Sequence, residues 1–94
     1  MSWSPDSVPE RRLDIRVRSN RGTIQIVNRT LQAVELTGAG ALLFRAMDGR
    51  RTVGELAGLL VAEFGITAAD ALTDTTDLVT GLADLTVIDH AGSR

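Results

Sequence analysis

Residues 36–49, LTGAGALLFRAMDG, decide how the chain reads. Thr37 stands where its hydroxyl can cap the free N–H groups of a helix's first turn. Ala41, Leu42, Leu43, Phe44, Ala46 and Met47 follow at spacings that suit a short buried helix. Asp48-Gly49 stops it, because Gly accepts the left-handed conformation common just past a helix end. Upstream of this stretch the pattern is that of strands. Downstream it is that of two further helices.

Moving upstream, Leu31–Leu36 reads as a strand, with Val34 and Leu36 on one face and Leu31, Ala33 and Glu35 on the other. Thr23–Val27 is mostly β-branched and reads as a second strand. Leu13, Ile15 and Val17 alternate with Asp14, Arg16 and Arg18, the period of a half-buried strand. Ser19-Asn20-Arg21-Gly22 and Asn28-Arg29-Thr30 supply the turns. The expectation is a three-stranded antiparallel meander, which needs a covering layer to be stable. Residues 1–12 hold both prolines and no periodicity, and read as a flexible arm carrying the only tryptophan, Trp3.

Moving downstream, Thr52 and Glu55 form the S/T-x-x-E capping box of a helix from Val53 to Phe64. Its apolar set is Leu56, Leu59, Leu60 and Phe64, and Gly65 ends it. Thr67 caps a third helix, with Ile66 as a staple and Asp70 in the first turn. This helix runs to about Leu85 and carries two stripes: Ala71, Thr75, Leu78, Leu82 and Leu85, and then Leu72, Thr76, Val79 and Ala83. One buried face needs only the first stripe. The second implies a further contact, in a wider core, a dimer or a ligand groove. Thr86-Val87-Ile88 reads as extended, with His90–Arg94 as a tail. The fold class is thus α+β: a three-stranded antiparallel sheet followed by three helices, winged-helix-like, over residues 13–89.

Composition removes many functions. The 94 residues contain no cysteine, and all ten basic residues are arginine. Disulfides, thiolate metal sites, Cys nucleophiles, Schiff-base lysines and a P-loop lysine are excluded. The longest clean apolar run, Leu59–Ala62, is too short to span a bilayer, and the N-terminus lacks the form of a signal peptide. The expected location is the cytoplasm, with no membrane partner. Net charge is −2, but residues 1–30 carry +3 and residues 31–94 carry −5. A mildly acidic chain does not suit phosphate backbones. Its basic hairpin, with Arg16, Arg18, Arg21 and Arg29, is a solvated face or a steering surface for an acidic partner.

No chemistry assembles from the remaining motifs. Asp70, Asp74 and Asp77 share a helix face but would enclose a cation poorly. Glu35 has no partner for acid–base work. His90 has neither a second His nor a Cys at ligand spacing. Gly38-Ala39-Gly40 follows a strand and opens a helix, but lacks GxGxxG and any lysine. The reading is a non-enzyme without metal or cofactor. Two binding routes remain. A sheet edge can accept a peptide as an added strand. A winged helix can enter a DNA groove, although the reading helix here carries Asp70, Asp74, Asp77 and Asp84 and no arginine.

The stretch from about Leu36 to Ile88 resembles the PqqD-like family, the small peptide-recognition domains of ribosomal peptide modification pathways (RiPP recognition elements). The residues that carry the resemblance are Leu36-Thr37, Ala39–Ala41, Leu42-Leu43-Phe44, Asp48-Gly49, Thr52-Val53-Gly54-Glu55-Leu56, Phe64-Gly65-Ile66, Leu78 with Leu82, and Val87-Ile88. The chain departs from the pattern at Thr37, where Asn is usual, and at Thr86, where Gly is common. Thr75 fills a core position usually held by a larger apolar residue.

The resemblance implies a mechanism. The leader segment of a precursor peptide lies as a fourth strand along the third, in a groove walled by the third helix. It is presented to a modifying enzyme of the same pathway, such as a radical-SAM enzyme, a leader protease or a cyclase. Leu31, Gln32, Ala33, Val34, Glu35 and Leu36 would supply the backbone edge. Leu72, Thr76, Val79 and Ala83 would line the side-chain pockets, although the two stripes of the third helix are interchangeable at this level. Arg16, Arg18, Arg21 and Arg29 would steer the leader or dock the enzyme. Two other readings stay open: a winged-helix DNA-binding protein, and a structural or dimerisation subunit that pairs with a second copy.

Overall fold

A computed structural model describes residues 2–92. In chain order the elements are β1 (Pro9–Arg11), β2 (Arg16–Asn20), β3 (Thr23–Val27), β4 (Ala33–Leu36), α1 (Gly38–Ala46), α2 (Val53–Phe64), α3 (Ala68–Asp84) and β5 (Ile88–His90). Strands β2, β3 and β4 form the antiparallel meander in that order, and the three helices cover one face. The chain therefore has the expected α+β fold.

The alternation along the strands sets the two faces of the sheet. Ile24 and Ile26 point inward and are buried, opposite Leu36 and Val34 on the neighbouring strand. Gln25 and Glu35 face outward, and the Gln25 side-chain amide donates to Glu35 at 3.4 Å. Arg21 and Gly22 join β2 to β3 with both φ angles positive, which matches a two-residue turn to the twist of the strands. Phe44 of α1, Leu56 and Leu60 of α2, and Val79 and Leu82 of α3 complete the core.

Two helix starts form as expected. Thr52 accepts from the Glu55 N–H, and Glu55 accepts from the Thr52 N–H. Thr67 accepts from the Asp70 N–H. Thr37 holds the cap position of α1 without a side-chain hydrogen bond; its carbonyl accepts from Gly40 and Ala41 instead. α1 ends at Ala46. Arg11 then caps its C-terminal end, donating to the Phe44 carbonyl at 2.7 Å while its guanidinium lies 4.4 Å from the Phe44 ring centroid. Burial pushes the Arg11 pKa down from its ordinary value.

The N-terminal residues expected to form a flexible arm are built into the fold. β1 pairs antiparallel with β5, so His90, expected in a tail, lies in a strand opposite Pro9. The Ser7 and Pro5 carbonyls accept from the Val53 and Gly54 N–H groups at 2.8 and 2.9 Å. These are donors of the first turn of α2 that helix geometry leaves unpaired. Gly54 permits the approach, since a Cβ there would lie 3.3 Å from the Pro5 carbonyl oxygen. The Trp3 ring stacks on His90 with centroids 3.7 Å apart. Sequence periodicity missed this strap because its pairing partners lie at the far end of the chain.

α3 ends in a Schellman turn. Val87 N–H donates to Leu82 O and Thr86 N–H to Ala83 O. The residue in the left-handed position is Thr86, at φ 56°. A β-branched residue is strained there. Thr86→Gly should therefore raise stability by about 1 kcal/mol, which denaturant unfolding would register as a higher midpoint at unchanged slope. An unchanged or lower midpoint would show that the Thr86 hydroxyl, which donates to the Leu85 carbonyl, offsets the strain.

Candidate functional site

β4 borders β3 on one side, and its other edge is unpaired among the described residues. The Asn28 N–H donates to the Gln32 carbonyl at 2.9 Å. Hydrogen-bonded pairs alternate along an antiparallel ladder. Val34 and Leu36, two and four residues further on, therefore turn their backbone groups toward β3. Ala33 and Glu35 turn theirs toward the open edge.

The expected edge Leu31–Leu36 is thereby shortened. Leu31 sits at φ 65° in the turn, donates to the Asn28 carbonyl and is 85% exposed. Gln32 N–H is taken by the Asn28 side chain. Both residues belong to the turn because Asn28 draws their N–H groups inward.

Asn28 itself is 3% exposed and organises this end of the sheet. Its Oδ1 accepts from Thr30 N–H, the Thr30 hydroxyl and Gln32 N–H. Its Nδ2 donates to Gln32 Oε1 and, at 2.6 Å, to the Leu85 carbonyl at the end of α3. One side chain thus fixes the β3–β4 turn and ties β4 to α3. The sequence marked Asn28 only as a turn residue; nothing local reveals its reach to position 85. Asn28→Ala strands several buried partners and should cost about 2–4 kcal/mol, visible as a lower unfolding midpoint. A loss below about 0.5 kcal/mol would show that the turn holds without it.

The wall beside β4 follows from the same geometry. A Cβ on Gly40 would lie 3.5 Å from Leu36 Cδ2 and 3.9 Å from Leu78 Cδ1, so the two leucines meet over that glycine. Leu85 lies seven residues after Leu78 on the same flank and is anchored through Asn28. Leu78 and Leu85 are half-buried. Leu36 and Leu78 thus form an apolar surface beside the open edge of β4, and the Leu85 carbonyl is tied to the β3–β4 turn through Asn28.

The stripe expected to line this groove, Leu72, Thr76, Val79 and Ala83, does not. Val79 is fully buried in the core. Burying such a side chain is worth about 1.5–3 kcal/mol, so the core dictates the rotation of α3. That rotation sends Leu72 toward α2, into a depression shared with Pro5, Gly58 and Val61. It sends Thr76 and Ala83 toward Trp3 and β5. The two stripes are exchanged at their margins: Val79 replaces Leu78 and Leu85 in the fully buried set, and those two leucines stay half-buried, Leu78 close to Leu36. Thr75 is buried, and its hydroxyl has no hydrogen-bond partner among the described residues.

Arg16, Arg18, Arg21 and Arg29 are all exposed, but they do not form one cluster. Arg16 and Arg18 lie on the outer face of β2, opposite Val27 and Gln25. Arg21 is at one end of the sheet, and Arg29 is at the other, 3.9 Å from Asp14. Asp14 is also held by Arg12, which keeps its carboxyl below the usual range. Among the described residues no group of carboxylates and imidazoles is placed to hold a metal ion, and no helix is long and apolar enough to cross a membrane.

An α+β domain with three helices on one sheet face and an open strand beside the last helix is the class this geometry defines. Residues 23–88 match the family model described as coenzyme PQQ synthesis protein D (PqqD), and the chain belongs to that family. No curated protein sequence matches the chain.

Several solved structures share the fold, among them the following three. One is the PqqD truncation of Methylobacterium extorquens PqqCD, a functional and stand-alone RiPP recognition element solved in solution. It is 22% identical over 95% of this chain and 96% of that one, with a TM-score of 0.78. Another is TbiB1 in complex with the TbiA(beta) leader peptide, 12% identical over 85% of this chain and 94% of that one, at 0.79. The third is lasso peptide synthetase B1 complexed with its leader peptide, 21% identical over 86% of this chain and 96% of that one, at 0.77.

Proposed function

We propose that this protein binds the leader segment of a ribosomally made precursor peptide as a strand added to β4, and presents it to a modifying enzyme in the cytoplasm. The observation that carries the reading is the open edge of β4, where Ala33 and Glu35 direct their backbone groups outward beside the apolar Leu36 and Leu78. An extended peptide there gains main-chain hydrogen bonds along β4, and its alternate side chains meet the leucines. The exposed Leu31 lies in the turn that leads into β4. The leader complexes of two proteins with this fold support the reading. Arg16 and Arg18, on the outer face of the sheet, remain available to an acidic surface of the enzyme. The protein acts by holding the substrate in place, without a cofactor of its own.

The test is a titration of isotopically labelled protein with a synthetic leader from a precursor encoded beside this gene, followed by NMR. Shifts concentrated at Ala33–Leu36, Leu78 and Leu85 are the expected result. Saturating peptide that moves none of these resonances, across every neighbouring precursor, overturns leader recognition.

A further inference from the structure

On the flank of α3 turned away from β4 lies a cavity of about 490 Å³, within the size range of ligand sites. The stacked rings of Trp3 and His90 stand along it, with the hydroxyl residues Thr76 and Thr80 of α3 and the carboxylates Asp84 and Asp89. Aromatic faces attract cations, and a planar guanidinium both stacks on a ring and meets a carboxylate with paired N–H groups. The molecule already uses both contacts nearby. Arg11 lies over Phe44, and Arg12 Nη1 meets Asp89 at 2.9 Å. Asp84 is exposed, and no ion pair engages it among the described residues. Among the described residues two carboxylates line the cavity, and the His90 ring is the one basic group there.

We infer that this cavity is a second binding site, distinct from the β4 groove, that accepts an arginine side chain of a partner polypeptide between the Trp3–His90 stack and Asp84. It does not depend on peptide addition at β4, because the two sites lie on opposite flanks of α3. The N-terminal strap is what creates it. Trp3 is brought there by residues 5–11, whose carbonyls and strand pairing hold the segment in place.

The experiment uses the full chain and N-acetyl-arginine amide as probe. The neutral isostere N-acetyl-citrulline amide and N-acetyl-lysine amide serve as comparators. Trp3, the only tryptophan, reports by its fluorescence, and the Thr76, Thr80 and Asp84 amides report by NMR. The expected result is saturable binding of the arginine probe, with citrulline about tenfold or more weaker, in keeping with the loss of a desolvated cation–π contact, and lysine about tenfold or more weaker because its ammonium lacks the planar fork that stacks on the ring while pairing with the carboxylate. Asp84→Asn, at an exposed position, should weaken the arginine probe about tenfold. Thr80→Arg should occupy the site and abolish the response. Leader titration at β4 should be unchanged in both variants, which separates failure of this site from failure of leader recognition. Equal responses to arginine and citrulline, equal responses to arginine and lysine, or no response to arginine would each overturn the assignment.

Discussion

Glu35→Pro is expected to weaken leader binding about a hundredfold while leaving the fold in place. Proline removes one N–H donor, and at Glu35 that donor points to the open edge, so the β3–β4 ladder keeps all its bonds. A peptide lying along β4 then faces a missing donor and the bulk of the ring. A lost hydrogen bond together with a stranded partner amounts to about 3 kcal/mol, roughly a hundredfold in affinity. Glu35→Ala keeps the N–H and should change affinity only a few-fold. Val34→Pro places the same defect on the inward side and should unfold the sheet. Calorimetric titration of the three variants, with circular dichroism as the fold check, decides the matter. Full affinity in Glu35→Pro would show that the peptide does not use this edge.

Deleting residues 2–8 destabilises the protein by about 3 kcal/mol. The deletion removes the two carbonyls that satisfy Val53 and Gly54 at the start of α2, the Val8 carbonyl that accepts from Ala91, and the Trp3 stack. In a domain this small, each kcal/mol moves the thermal midpoint by about 4–8 °C, so a fall of roughly 12–24 °C is expected. The β1–β5 pairing survives the cut and should keep the domain folded at room temperature. A thermal midpoint within about 2 °C of the parent would show that the strap contributes little, and that water replaces its carbonyls at the helix end.

The parts of this architecture that could be read from the sequence are those whose signals are local. The β-branched run Thr23–Val27, the Thr52–Glu55 box and the Thr67 cap each involve neighbours within a few residues, and each formed as expected. What could not be read depends on distant partners. β1 exists because β5 exists, nearly eighty residues away, and three residues of mixed polarity carry no period. Asn28 looked like any turn residue until its amide met Leu85. The pocket-lining stripe failed for a related reason. Apolar residues at adjacent helical angles are equivalent until the neighbouring elements choose between them, and the core chose Val79 over Leu78.

The length of β4 sets a kinetic property. Four residues cover about 13 Å of strand, and only Ala33 and Glu35 offer their two backbone groups each to an added chain. Backbone bonding can align a peptide there but contributes only about 0.5–1.5 kcal/mol per bond, against an association cost of several kcal/mol. The complex should therefore exchange quickly. Under the proposed function, and with enzymes commonly turning over about ten times per second, such exchange would let the protein release one processed precursor and take up the next between turnovers.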